Sequence, residues 1–359
     1  MLIAGGGTGG HLMPALALGS ALRQEHPDWR IVLVGAERGV EARLLPAREF
    51  PFQLLPAEPI YRRQWWKNLR WPLLATRLIR EVDRLLTRER PALVIGTGGY
   101  AAGPVVWRAA RRGIPTAMLE LNAYPGLAVR WLAGAVREIW LGSPEARARL
   151  RPGPHTEIVD TGTPISPPDP SQREAVLQRF GLDPARPVLL ITGGSQGALP
   201  LNLAVAEWIQ SGAARSLQVL WATGRGSFGR FEALHHPPLV QVYDYLDPIG
   251  PAYAVATLAL ARAGMMTLAE LCAWGVPSIL VPLPSAAADH QTSNARAMQE
   301  AGAAICLPQK ELTPARLEEL VQGLLADPSR RAALRAAALG RARPEAIRLI
   351  LRRIGLLSG

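Results

Sequence analysis

Cysteine, lysine and long apolar runs are all scarce in this chain, and each scarcity closes a class of readings. The two cysteines, Cys272 and Cys306, both sit in apolar surroundings. They supply no disulfide scaffold or thiolate metal cluster and read as buried thiols of a reducing compartment. No stretch approaches the ~18 consecutive apolar residues of a spanning helix. Gly and Pro interrupt the runs, as in Val276-Pro277-Ser278-Ile279-Leu280-Val281-Pro282. The opening Met1-Leu2-Ile3-Ala4-Gly5 lacks a basic n-region and an apolar h-region, so it reads as a first β-strand and not as a signal peptide. Two motifs are missing as well. Without G-x-x-x-x-G-K-[ST] a P-loop nucleotidase is disfavoured, and without Asp-x-Asp a metal-bridged diphosphate is not expected, so neither an essential metal nor another cofactor is predicted.

What is present is apolar, basic and rich in arginine. Hydrophobic residues make up 48% of the chain and charged ones 19%, too apolar and too little charged for a disordered chain. At 359 residues it exceeds the size at which one hydrophobic core stops growing, and two domains are predicted. Only Lys67 and Lys310 are lysines, so 38 of the 40 basic residues are arginine, and the net charge is +11. Such a balance points to nucleic acid, an anionic membrane or a phosphorylated substrate.

Apolar runs alternate with helical patterns and glycine-rich turns: residues 31–35, 92–96, 116–120 and 138–142, then 188–192, 218–222, 240–243, 257–261 and 278–282. This alternation predicts parallel sheets with crossover helices, an α/β chain. The proline-dense Thr161 to Pro170 reads as an extended linker. The predicted domains are 1–161 and 162–341, and an Arg-rich amphipathic helix in 342–359 is expected to pack back on the first. Each half opens with a strand, a glycine loop and a helix, which predicts two Rossmann-like units with a cleft outside the carboxyl ends of their strands.

Three glycine loops follow apolar strands and precede helices: Gly5-Gly6-Gly7-Thr8-Gly9-Gly10-His11, Gly96-Thr97-Gly98-Gly99-Tyr100, and Gly193-Gly194-Ser195-Gln196-Gly197-Ala198. Glycine lets backbone approach a ligand, and the N–H groups of a helix N-terminus favour an anion, so phosphates are the expected guests. The first loop also fits G-x-G-x-x-G, with Glu37 where a ribose-binding acid would stand, which keeps a nicotinamide-dependent oxidoreductase open. In Arg262-Ala263-Gly264-Met265-Met266-Thr267-Leu268-Ala269-Glu270 a carboxylate one turn into a helix can accept from two ribose hydroxyls or simply favour the helix dipole. Ala288 to Asn294 offers polar side chains ahead of another helix.

These motifs, in this order and over nearly the whole length, resemble the MurG family of peptidoglycan glycosyltransferases. The resemblance rests on Gly6 to His11, Gly98-Gly99-Tyr100, Glu120 with Asn122, Gly194 to Ala198, and Arg262 to Glu270. It implies the GT-B fold, two Rossmann-like domains facing across a cleft. It also implies inverting transfer of N-acetylglucosamine from UDP-N-acetylglucosamine to the muramyl C4 hydroxyl of lipid I, forming lipid II. Carried over by position, Ser195, Gln196, Gly197, Leu246, Met265, Met266, Thr267, Leu268, Glu270, His290 and Gln291 would bind the donor. Thr8, Gly9, Gly10 and Asn122 would join the donor from the acceptor-side domain, near the acceptor's diphosphate and reacting hydroxyl. Gly98, Gly99 and Tyr100 would bind the acceptor. Two departures stand out: Ser166 replaces the arginine usual in the linker, and His290-Gln291 replaces paired glutamines.

The implied reaction needs a base for the attacking hydroxyl and stabilisation of the leaving diphosphate. His11 and Glu120 are the two candidates for the base. A helix N-terminus disfavours imidazolium, which suits His11. The segment from Ile60 to Leu74 carries Trp65, Trp66, Lys67, Arg70 and Trp71 with no acid. Such a surface suits an anionic bilayer, although the tryptophans could equally be core residues. The resemblance favours the membrane and implies a peripheral location on the cytoplasmic face of the bacterial inner membrane, with lipid I and other cell-wall synthesis proteins as partners. A basic nucleic-acid-binding module would leave the three glycine loops unexplained.

Overall fold

A computed structural model describes residues 1–7, 9–39, 41–59, 61, 65–194 and 196–358, with the side chains of Trp65 and Lys67 outside that description. The chain forms two compact units, Met1–Ile165 with Glu345–Gly359, and Ser166–Pro344.

The first unit is built on seven parallel strands, β1 (Leu2–Gly5), β2 (Val32–Ala36), β3 (Phe52–Leu55), β4 (Val94–Gly98), β5 (Thr116–Glu120), β6 (Glu138–Leu141) and β7 (Glu157–Val159), in the order β3-β2-β1-β4-β5-β6-β7. The second has six, β8 (Val188–Thr192), β9 (Gln218–Ala222), β10 (Val240–Tyr243), β11 (Leu258–Ala261), β12 (Ser278–Leu280) and β13 (Ile305–Cys306), in the order β10-β9-β8-β11-β12-β13. In both sheets the strand order reverses next to the first strand, at β1/β4 and at β8/β11. That reversal opens a crevice at the carboxyl ends of the strands where ligands bind in sheets of this kind.

The central strands are buried on both faces, which is why they read as continuous apolar runs. The crossover helices bury one stripe each. In the helix Trp71–Glu89, Leu78, Val82, Leu85 and Leu86 face the core, and Arg90 ends it in a left-handed conformation with φ +41°. Asp327 caps the helix Pro328–Arg341 by accepting the Arg330 N–H at 2.8 Å. Three strands went unread in the sequence: β3, β7 and β13. The segment Thr161 to Ile165, read as linker, is buried, and exposed chain begins only at Ser166. The Gly162 N–H reaches the Leu141 carbonyl at 2.9 Å, so this stretch continues the first unit's core.

The last helix, Ala346–Ser358, returns to the first unit. Its Arg353 donates to both oxygens of the buried Glu138 at 2.9 and 2.7 Å and also pairs with Glu157, while Glu138 accepts the Trp140 indole N–H at 2.6 Å. These carboxylates, Glu138 foremost, raise the guanidinium's pKa above its ordinary value. Arg353→Met leaves a buried carboxylate without its cation and is expected to cost about 3 kcal/mol. Urea unfolding checks this, and the double variant with Glu138→Gln should recover part of the loss.

Candidate active site

In the first unit the β1/β4 reversal brings two glycine loops side by side. The Gly6 N–H donates to the Gly98 carbonyl at 3.3 Å, and the Thr97 hydroxyl donates to the His11 carbonyl at 2.8 Å. A Cβ on Gly98 would fall 2.5 Å from His11 Nδ1, and one on Gly99 1.7 Å from the Gly6 carbonyl oxygen. Both residues have positive φ, +101° and +80°, so glycine is required twice over. Gly98 and Gly99, expected at the acceptor, therefore also let the two loops close on each other. Gly9 and Gly10 open the helix Gly9–Glu25, which carries His11 one residue further on.

His11 Nδ1 lies 3.1 Å from the Thr97 carbonyl oxygen. A carbonyl can only accept, so Nδ1 carries the hydrogen and Nε2 is the basic nitrogen of the neutral ring. Glu120 is held differently. Its Oε1 accepts from the Asn122 backbone and side-chain amides at 2.9 and 3.1 Å, and its Oε2 accepts from the Gly126 N–H at 2.6 Å. Burial pushes its pKa up and those N–H groups oppose the shift. Glu120 and Asn122 together brace the loop after β5. The Tyr100 ring packs on Gly7, and burial foremost, then the charge of Glu41, raises its hydroxyl's pKa.

Two expectations in this unit are corrected. Glu37, the candidate ribose acid, is not in the glycine loop; its carboxylate is 46% exposed and 3.7 Å from Arg77. The residue that enters the loop is Glu41, fully buried, whose Oε1 accepts the Gly7 N–H at 2.5 Å and the Ala36 N–H at 3.3 Å. The basic aromatic segment is not free of acid either, because Glu58 folds against it. Arg70 and Arg38 pair with the two oxygens of Glu58 at 2.5 and 2.8 Å, so Arg70 is already neutralised. Trp66, Leu69 and Leu73 are 54%, 73% and 79% exposed, whereas Trp71 is half-buried, with its indole N–H enclosed. Thr8 and Ser195 lie outside the described residues, as do the side chains of Trp65 and Lys67.

In the second unit the helix Met265–Trp274 begins at the carboxyl end of β11. Leu268 N–H bonds back to Gly264, and the N–H groups of Met265, Met266 and Thr267 have no partner among the described residues. They form an anion-binding helix start. One turn in, the half-buried Glu270 accepts the hydroxyl of the buried Tyr253 at 3.0 Å. Burial lifts the Glu270 carboxyl to about 7, and Tyr253 opposes the shift. Leu268 itself departs from its expected place: its side chain is 1% exposed and packs in the core, so it lines no pocket with that side chain.

The flanking loops are pinned in place. The Gly194 N–H donates to the Thr192 hydroxyl at 3.2 Å, and a Cβ on Gly197 would fall 2.4 Å from the Thr223 carbonyl oxygen, while Gln196 is exposed. Among the described residues neither the N–H nor the carbonyl of Leu246 has a hydrogen-bond partner, a free donor and acceptor pair on one residue. Gln291 Oε1 accepts the Leu283 N–H at 2.9 Å, and His290 Nδ1 faces the Ala287 carbonyl at 2.7 Å. Arg262 has a clearer role than its motif suggested. Buried, it donates to the Val281 and Pro282 carbonyls at 3.0 and 3.1 Å and to Gln309 at 2.6 Å. Burial lowers its pKa to about 10, which leaves it charged at neutral pH.

The sequence reading missed Glu41 and Tyr253. Glu41 had a faint signal in the flanking Gly35 and Gly39, since a Cβ on either would collide with its side chain. Tyr253 had none, because only the packed fold brings it to Glu270.

Comparison with known proteins agrees with this geometry. The glycosyltransferase family 28 N-terminal domain matches residues 1–140, and the family 28 C-terminal domain matches 188–350. The UDP-N-acetylglucosamine–N-acetylmuramyl-(pentapeptide) pyrophosphoryl-undecaprenol N-acetylglucosamine transferase of Salinibacter ruber is 38% identical over 354 residues, 98% of this chain and 95% of that protein. The protein of the same name from Carboxydothermus hydrogenoformans is 37% identical over 336 residues, 92% of this chain and 90% of its own. The crystal structure of Acinetobacter baumannii MurG superposes with a TM-score of 0.76 at 27% identity, covering 99% of this chain and 98% of that one. Two parallel α/β units, each with its glycine loops at the strand reversal, and full-length kinship with these enzymes place the chain in the MurG family of family 28 glycosyltransferases, with the GT-B fold.

Proposed function

We propose that the protein transfers N-acetylglucosamine from UDP-N-acetylglucosamine to the muramyl C4 hydroxyl of lipid I, forming lipid II with inversion at the anomeric carbon. The observation that carries the donor half is the start of the helix Met265–Trp274, where three unpartnered N–H groups lie one turn from a half-buried carboxylate. The N–H groups suit the diphosphate and Glu270 suits the ribose hydroxyls. Leu246 offers uracil both a donor and an acceptor from its backbone. As the bond to UDP breaks, charge grows on the diphosphate, and a helix N-terminus fixed beforehand stabilises it without reorganisation.

On the first unit, His11 Nε2 takes the proton of the C4 hydroxyl as that oxygen attacks the anomeric carbon. Glu120 is the weaker candidate, because the N–H groups of its own loop occupy both of its oxygens. UDP-N-acetylglucosamine at a hundred times its Kd should stabilise the folded protein by about 2.7 kcal/mol. NADH and a short oligonucleotide should not stabilise it. A thermal shift with NADH and none with UDP would replace this reading with the oxidoreductase one.

The polyprenyl tail of lipid I stays in its bilayer, so the enzyme must come to the membrane. No helix among the described residues is long and apolar enough to cross one. The exposed Trp66, Leu69 and Leu73 supply an apolar surface, which supports peripheral docking at the cytoplasmic face. Replacing all three by serine should weaken liposome co-sedimentation by about tenfold or more and leave UDP binding intact. Parent-like sedimentation of the folded variant would move the docking face elsewhere.

A further inference from the structure

The most unusual group outside the proposed chemistry is the Glu41 carboxylate. It is fully buried at the start of a helical turn after β2, and among the described residues no cation pairs with it. Its Oε1 accepts the Gly7 and Ala36 N–H groups, and its Oε2 has no hydrogen-bond partner among the described residues. The glycines around it leave room for the carboxyl: a Cβ on Gly6 would fall 1.6 Å from Oε1, and one on Gly39 1.9 Å from Oε2. In glycine loops of this type such an N–H ordinarily faces a phosphate. Here a side-chain oxygen of the chain itself, Glu41 Oε1, stands in that place.

We infer that Glu41 is a positioning residue, a built-in hydrogen-bond acceptor that holds the first glycine loop in shape so that the helix beginning at Gly9 presents His11. The loop is fixed at three points in sequence: Gly6 to the Gly98 carbonyl, Gly7 to Glu41, and His11 to the Thr97 carbonyl. The Glu41 carboxyl holds the middle of the loop, between a backbone tie at Gly6 and the His11 ring. The Tyr100 ring rests on the same Gly7 from the β4 loop, so a shift of Gly7 would disturb both loops. The kinetic part of this inference rests on the proposed transfer reaction; the loop-holding part does not.

The test compares the full-length parent with Glu41→Ala, Glu41→Asp and Glu41→Gln, each normalised for folded protein by its urea midpoint. Glutamine keeps an acceptor for the Gly7 N–H and should behave as the parent within about threefold. Alanine removes the acceptor, and aspartate withdraws it by one methylene. Both should lower kcat by about tenfold or more, leave the KM for UDP-N-acetylglucosamine within about twofold, and speed amide hydrogen exchange over residues 5–11 by about tenfold or more. Added formate, a carboxylate small enough for the vacated space, should restore part of the kcat of Glu41→Ala. Parent-like kcat and exchange in the aspartate variant would overturn the inference, as would a lowered kcat with unchanged exchange. If alanine does not fold, the aspartate and glutamine pair still decides. A parent that transfers no sugar, combined with faster exchange in Glu41→Asp, would remove the transfer reading and leave the loop anchor standing.

Discussion

His11→Ala is expected to lower turnover by about 10²–10⁴-fold, the range that a positioned general base contributes, with UDP affinity within about twofold of the parent. The direction follows from one hydrogen bond. The Thr97 carbonyl fixes the Nδ1 hydrogen, so the neutral ring presents Nε2 as its basic atom. In the proposed reaction the groups on ribose, diphosphate and uracil come from the second unit, so UDP affinity has no reason to change much. His11→Gln, whose amide reaches the position of Nε2 and can donate a hydrogen bond but cannot act as a base, separates the roles. If His11 only contacts the acceptor's phosphate, glutamine should recover much of the activity; if it is the base, glutamine should be as slow as alanine. Steady-state transfer at saturating donor measures both, and near-normal turnover in the alanine variant would remove His11 from the chemistry.

Glu270→Ala should weaken UDP binding by about 10–150-fold, the loss of a charged acceptor worth roughly 1.5–3 kcal/mol to the ribose hydroxyls. The pH dependence has a definite sign. Burial lifts the Glu270 carboxyl to about 7, above the about 4.3 of an unfolded glutamate. Its contribution to stability is therefore fully present below about pH 4.3 and is lost as pH rises through 7. Ribose hydroxyls donate to the ionised form, so donor affinity should rise between about pH 6 and 8 and level off above that. Glu270→Gln should flatten this dependence as well as weaken binding. Calorimetric titration with UDP at several pH values checks both, and an affinity independent of pH in the parent would place the ribose on another group.

The central strands and three glycine loops were legible because strands buried on both faces leave long apolar runs and because loops at a sheet reversal need glycine. The strands that escaped, β3, β7 and β13, are all at sheet edges. An edge strand has one neighbour and tolerates polar or exposed residues: Phe52 is 39% exposed, and Glu157 faces Arg353 from a distant helix. The proline-rich stretch misled for a related reason. Proline disfavours regular structure but not burial, and Thr161 to Ile165 pack without belonging to a strand.

At the site, local motifs carried only part of the information. Glycine spacing and the Arg262 to Glu270 segment pointed to loops that lie at the carboxyl ends of β1, β4, β8 and β11, since those residues are contiguous in sequence. What occupies those loops was not legible. Glu41 lies 34 positions from the Gly7 amide it binds, and Tyr253 lies 17 from Glu270. Arg70 looked like a free cation in an acid-free segment until Glu58, 12 positions away, folded against it. Leu268 occupies a motif position, yet helical periodicity turns its side chain into the core.

Sugar transfer is measured by incubating the purified protein with lipid I in vesicles and UDP-N-acetylglucosamine labelled in the sugar, then separating the lipid and aqueous products. Label should move to the lipid in a one-to-one ratio with UDP released, the new glycosidic linkage should be β, and Glu270→Ala and His11→Ala should both slow the transfer. Label that stays with the nucleotide, or appears as free sugar while the lipid remains unlabelled, would contradict the proposed transfer.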